Sequence, residues 1–303
     1  MPPAKPALTN SMANAMAEPG AALATRSEEL FQGQPCHRLT LADGDSVLVA
    51  LQGGHDSSWL QGGRERLFVS PHSVWDGHTA IRGGIPICFP QFNQRGDLPK
   101  HGFARNLPWA LLDAQAGESP ASLCFGFNAD DSTRAMWPAE FETRLRVDLQ
   151  PGQLCVTLEV RNSGTQVLRF TGALHSYLAV SDIAQVRLTG LGGQKEWDSR
   201  ADKHQRAADS LQCVGPFDRV YSAPPAPMHL HDPLGGLEIS NSEGWADCVV
   251  WNPGAAGCAL MLDMTPDAFE HMLCVEAAQV FEPISVAAGG HWSGRQRLRV
   301  LGV

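Results

Sequence analysis

Between Ile81 and Trp109 the chain reads IRGGIPICFPQFNQRGDLPKHGFARNLPW, where glycine and proline recur every few residues and Arg82, Gln91, Arg95, Lys100, His101 and Arg105 supply polar reach. Such punctuation fixes backbone geometry tightly and does not suit an ordinary strand. The reading is a winding loop on a rigid scaffold, a common setting for a site. Arg82 and Arg105 carry the planar fork that grips two phosphate oxygens at once; the competing reading pairs each with a surface carboxylate. In TGALHSYLAV, strand alternation puts His175 on the face of Thr171, Ala173 and Tyr177, opposite Leu174 and Leu178. An imidazole with an ordinary pKa of about 6.5 suits proton transfer at neutral pH, although a half-exposed structural histidine gives the same pattern. Glu276 ends the run MLCVE on the face of Met272 and Cys274, away from Leu273 and Val275. There it is either a partly desolvated base or a solvated strand end. Asp218 and Arg219 in FDRVY, with Trp251 and Asn252 in VVWNP, add polar and aromatic groups suited to a sugar.

Strands must position these residues, because period-two alternation dominates. Leu145, Val147 and Leu149 alternate with polar neighbours, Pro151-Gly152 follows, and Leu154, Val156, Leu158 and Val160 resume the pattern, which is a hairpin signature. The same alternation flanks Asp43-Gly44 and recurs at Leu123, Phe125 and Phe127. Further short apolar runs, at Cys248 to Trp251, Ala259 to Leu262, Met272 to Val275 and Leu298 to Leu301, also read as strands. No window keeps a helical period, so helical and α/β folds fit poorly and a large antiparallel β-sandwich fits best. The predicted domain runs over 29–303 after a disordered Ala/Pro-rich tail, 1–28, and the Pro-rich piece Ser222 to Pro227 reads as a surface loop.

Composition removes several classes of function. At 303 residues and 43% hydrophobic the chain can bury a large core. A net charge of −9 without a basic run argues against nucleic-acid or anionic-membrane partners. No apolar run reaches the roughly 18 residues of a membrane span, and the N-terminal stretch has neither a signal-peptide h-region nor an Arg-rich transit bias. Eight scattered cysteines without a C-x-x-C pair, Cys155, Cys248, Cys258 and Cys274 among them in apolar runs, read as reduced thiols of a cytoplasmic protein. Gly190, Gly192 and Gly193 lack the third glycine and the helix of a dinucleotide turn. His229 and His231 lack a distant ligand set, so no metal is expected there. Neither a G-x-S-x-G elbow nor a Walker A loop occurs.

Taken in order, IRGGIPICFPQF, HGFAR, ALHSYLAV, FDRVY, VVWNP and MLCVE resemble the glucose-6-phosphate 1-epimerase family, a branch of the aldose 1-epimerase (galactose mutarotase) superfamily. The likeness covers about residues 30 to 303 and implies an all-β sandwich of the galactose mutarotase type, acting as a monomer on a small sugar phosphate. It also implies His175 as general acid toward the ring oxygen and Glu276 as general base at the C1 hydroxyl. By the same resemblance His101 and Asp218 hold the sugar, Arg82 and Arg105 bind the phosphate, and Gln91 is a neighbouring contact. Ring opening by acid and base needs no cofactor. Two alternatives remain at this point: a mutarotase of unphosphorylated aldoses, and a non-catalytic carbohydrate-binding sandwich. A binding module would not need an acid and a base about C1, and a free-sugar enzyme would not need an arginine cluster near C6.

Overall fold

The computed structural model describes residues 24–117 and 120–302. Its strands form three antiparallel sheets. In the nine-stranded sheet the long hairpin Phe141–Gln150 and Gln153–Asn162 lies at the middle, with His291–Val300 paired along the second strand's other edge. The alternation read from sequence is the observed burial: in Phe141–Gln150 every second residue is buried, and Leu145, Val147 and Leu149 sit in the main core. The eight-stranded sheet packs onto that core through Met272–Val286, flanked by Leu168–Leu174 on one side and Asp247–Asn252 then Phe217–Ser222 on the other. Five further strands, from Thr25–Phe31 to Arg64–Glu65, make a third sheet that reaches the glycine-rich loop through a bridge between Asp56 and Ile85.

Met272–Val286 is buried on both faces along its first nine residues. Leu273, Val275 and Ala277 point into the main core, whereas Met272 and Cys274 pack on the opposite face with Tyr177, Cys258, Met264 and Trp251. A second apolar cover, including Phe92, Ala173, Val220 and Val249, lies beside them. The outer face of this sheet is thus floored by apolar residues as well, and a polar group placed on it is desolvated.

Several boundaries depart from the sequence reading. The first strand starts at Thr25, so the 28/29 division falls inside it, and residues 1–23 of the proposed tail lie outside the described residues. Ala259 to Leu262 is not a strand. The turn at Pro253-Gly254 starts a short helix, Gly254–Cys258, and the chain leaves it with Leu260 and Leu262 86% and 99% exposed. Cys258 therefore lies on a helix rather than a strand, and all eight cysteines are unpaired. Residues 223–227 carry the chain from the eight-stranded to the nine-stranded sheet as a loop, Ser222 being the last residue of the strand Phe217–Ser222. Among the described residues no helix is long and apolar enough to cross a membrane.

Candidate active site

A cleft of about 170 Å³ opens on the outer face of the eight-stranded sheet, and the residues that line it come from distant parts of the chain. Glu276 rises from the doubly buried strand and is 1% exposed. His175 follows Leu168–Leu174 at the point where pairing with Met272–Val286 breaks, before Tyr177 resumes it opposite Cys274. The His175 N–H donates to the Pro86 carbonyl (3.0 Å), so the histidine is pinned between the glycine-rich loop and the sheet. Below it, the Ser176 hydroxyl donates to Gln296, whose amide in turn donates to the Val275 carbonyl (3.1 Å).

His175 Nδ1 lies 3.4 Å from Glu276 Oε1 without hydrogen-bond alignment, and both Nδ1 and Glu276 Oε2 lack a partner. Burial pushes Glu276 well above the usual carboxylate range, with the nearby Asp218 charge adding to the rise. Burial, then the Arg105 and Arg82 charges, pushes His175 well below its usual value. Each group alone therefore leans to its neutral form. The His175 ring stacks on Tyr177 with centroids 4.8 Å apart, and Trp251 stands edge-on to both rings.

The winding loop brings His101, Arg82 and Arg105 to the same cleft. Arg82 precedes Gly83 and Gly84, which have φ of +117° and +62°. A Cβ on Gly84 would run into the Asp56 carbonyl and the His55 ring, so only glycine lets this turn lie against the third sheet. His101 has φ of +66°, and its Nδ1 accepts the Asn93 N–H at 3.2 Å. The neutral ring then carries its hydrogen on Nε2, and burial, with the Arg105 and Lys100 charges adding, keeps it neutral. Asp218 lines the cleft with its carboxyl raised by burial.

The two arginines differ. Arg82 is paired: Nε donates to Asp263 Oδ2 (3.0 Å), Nη2 lies 2.9 Å from the same oxygen, and Nη1 donates to the Tyr177 hydroxyl (3.0 Å). Arg105 donates from Nη2 to the Lys100 carbonyl (2.9 Å), its buried Nε has no acceptor, and no carboxylate pairs with it or with Lys100 among the described residues. Gln91 is not brought to the cleft. Its amide donates to the Asn93 and Leu98 carbonyls and accepts the Leu98 N–H, which ties the loop to itself. Arg219 turns to Glu196 and Asp198, and Asn252 holds the Phe269 and Met272 carbonyls, so neither is a cleft group. Tyr177, Lys100, Asn93 and Met261 line the cleft without a role assigned from sequence. Of these, Tyr177 carried a signal in its shared face with His175, and Lys100 in its place among the polar residues of the winding loop.

His175, Cys274 and Glu276 each place one donor atom within 4.8 Å of the others. Burial, with the Glu276 charge adding, pushes the Cys274 thiol well up. His229 and His231 occupy Met228–His231 with rings 6.4 Å apart, and His229 faces Glu238, itself held by Arg297 and Arg299.

Two antiparallel sheets closed on one core, with a histidine and a glutamate buried side by side in a cleft on the outer face of one, define a sandwich of the galactose mutarotase type. The chain belongs to the aldose 1-epimerase family, whose model matches residues 37–299. A protein of Cenchrus ciliaris, provisionally named glucose-6-phosphate 1-epimerase, is 36% identical over 260 residues, spanning 82% of this chain and 79% of that one. One of the same provisional name from Salmonella typhimurium is 36% identical over 240 residues, 77% of this chain and 80% of its own. Among solved structures, the provisionally named mutarotase YeaD of Salmonella typhimurium superposes with a TM-score of 0.81 at 29% identity, over 92% of this chain and 97% of that one. A galactose mutarotase-like protein of Clostridium acetobutylicum shares the fold at 14% identity, with a TM-score of 0.74 over 93% and 99%.

Proposed function

We propose that this protein interconverts the α and β anomers of a hexose 6-phosphate, glucose 6-phosphate being the substrate of choice. One observation carries the reading: a histidine and a glutamate, both desolvated and 3.4 Å apart, floor a cleft whose mouth holds an arginine and a lysine without carboxylate partners. The names of the relatives agree with it.

Glu276 takes the proton from O1 while His175 protonates the ring oxygen O5. The C1–O5 bond breaks to give the aldehyde, C1–C2 rotates, and reclosure with acid and base exchanged gives the other anomer. The proton count fits. A neutral imidazole beside a protonated carboxyl holds one proton, the same number as imidazolium beside carboxylate, and hydroxyls entering the cleft supply the hydrogen bonds that favour the charged arrangement. His101 donates from Nε2 to a sugar oxygen and Asp218 accepts from a hydroxyl. Arg105, Lys100 and the outer end of Arg82 meet the phosphate, where charge-assisted bonds are strongest. No step requires electron transfer or a cofactor.

The eight unpaired thiols suit a reducing compartment, so a cytoplasmic setting is the one we assign, with the monomer that the family resemblance implies. A second reading, a mutarotase of unphosphorylated aldoses, draws on the Arg82–Asp263 pair, which neutralises one of the cations. Anomer-exchange NMR on glucose 6-phosphate and glucose side by side tests both. Faster exchange of the phosphate ester supports the proposal, equal or inverted preference supports the second reading, and no exchange of either refutes both.

A further inference from the structure

Arg82 does not need Asp263 to hold its place. Its N–H donates to Ser73 Oγ (3.1 Å), and its carbonyl accepts from the Ser70 N–H (2.9 Å) and the Ser73 hydroxyl (2.8 Å). At the far end of the side chain the Tyr177 hydroxyl fixes Nη1. Yet Asp263 Oδ2 takes both Nε and Nη2 at 2.9 to 3.0 Å, leaving one N–H on each Nη for anything entering the cleft. Asp263 and Arg82 are 28% and 26% exposed at the side chain, so the pair is within reach of solvent, with Arg82 itself lining the cleft.

The segment bearing Asp263 is anchored on either side of it, by Met261 at the cleft and by Met264, which is buried with Tyr177, Met272 and Cys274. It leaves the short helix Gly254–Cys258 through the turn bonds Leu260 N–H to Gly257 O (3.1 Å) and Met261 N–H to Cys258 O (3.0 Å), and Leu260 and Leu262 project into solvent. Met261, between them, points the other way and lines the cleft. A carboxylate outside the strands, set on an arginine that is otherwise fixed, is an internal anion in the position of a ligand anion.

We infer that Asp263 is a specificity-determining residue, an intramolecular counter-ion that competes with the sugar's phosphate for Arg82 and lowers affinity for the phosphorylated substrate and product alike. The inference rests on the hexose 6-phosphate reading. A dianionic phosphate on the outer N–H groups of Arg82 either displaces Asp263 or sits a few ångströms from its charge. Both weaken binding, by an amount that falls with salt. Such damping keeps the phosphorylated product from lingering on three clustered cations. An unphosphorylated sugar does not feel it.

The test is Asp263→Asn, which keeps an acceptor for Arg82 but removes the charge, alongside Asp263→Ser, which removes both. KM for glucose 6-phosphate and the inhibition constant of inorganic phosphate are measured for each, with glucose as control. The expected result is a KM lowered about three- to tenfold in both variants, a matching fall in the phosphate inhibition constant, and unchanged glucose kinetics. A KM that rises or stays the same in both folded variants overturns the inference and makes Asp263 a positioning residue or a bystander. Failure of the functional reading looks different: the wild-type protein would then not exchange glucose 6-phosphate at all.

Discussion

Replacing Arg105 by alanine isolates the contribution of one uncommitted cation. The guanidinium makes a single bond to the rest of the protein, to the Lys100 carbonyl, and its buried Nε makes none. Removal therefore breaks no ion pair and exposes only a carbonyl that water can reach, so folding should be little affected. A charge-assisted hydrogen bond contributes about 1.5 to 3 kcal/mol. Lost from the transition state, it lowers kcat/KM for glucose 6-phosphate by about ten- to a hundredfold. Glucose has no group for this residue, and its kcat/KM should change by less than about threefold. The assay is anomer exchange on both sugars at fixed ionic strength, since salt screens a contact at the cleft mouth. The diagnostic quantity is the ratio of the two kcat/KM values: a folding defect lowers both and leaves the ratio alone. Arg82→Ala should also lower the ratio, but it strands the Asp263 carboxylate and the Tyr177 hydroxyl, so its effect mixes binding with stability. An unchanged ratio in a well-folded Arg105→Ala protein refutes the assignment of this arginine to the phosphate.

His175→Ala and Glu276→Gln should each lower turnover of either sugar by at least about a hundredfold with the fold retained, as general acid–base groups do; near-normal turnover in both folded variants removes the pair from the mechanism. Exhaustive chelation should leave the exchange rate unchanged, and recovery of activity only on adding metal would overturn a metal-free route. Burial, with the Arg105 charge adding and a Gly83 backbone hydrogen bond opposing, pushes His55 down to about 3, against about 6.5 in an unfolded chain. The unfolded state thus binds more protons as pH falls, so the His55 contribution is complete above about pH 6.5 and is lost as pH drops toward 3. From pH 7.5 to 5 the loss is about 2 kcal/mol. Urea unfolding at those two pH values should show His55→Gln losing that much less than the wild type. Buried Asp56 and Glu276 shift the opposite way in both proteins and cancel from the comparison, and equal losses would refute the argument.

The sheets were legible because their cause is local. The Pro151-Gly152 turn and the alternation around it define the central hairpin without reference to anything distant. The same period put His175 with Tyr177, and Glu276 with Cys274, on the face that the structure turns away from the main core. What the period could not show is that this second face is also covered, which makes Glu276 a buried carboxyl rather than a solvated strand end. Partners far apart in sequence were equally hidden: Asp263 meets Arg82 across 181 positions. Ala259 to Leu262 looked like a strand because apolar content was read without the Pro253-Gly254 turn that precedes it. Gln91 was named as a contact through the family resemblance, and what the sequence does not show is that its amide bonds the loop's own Asn93 and Leu98 carbonyls.

The strand that supplies Glu276 runs for 15 residues, and around Glu276, from Cys274 to Ala278, it is flanked by pairing on both sides. Doubly paired, buried backbone of this kind opens less readily than loop backbone, so the proton-transfer groups stand on a stretch expected to exchange its amides slowly. Arg82, Lys100, Arg105 and Asp263 instead lie in segments outside the strands. Rebuilding those segments can alter which anion is held, or whether one is held at all, while the geometry at C1 stays as it is. In this architecture a new substrate requires loop replacement, whereas a new reaction requires a change in the sheet.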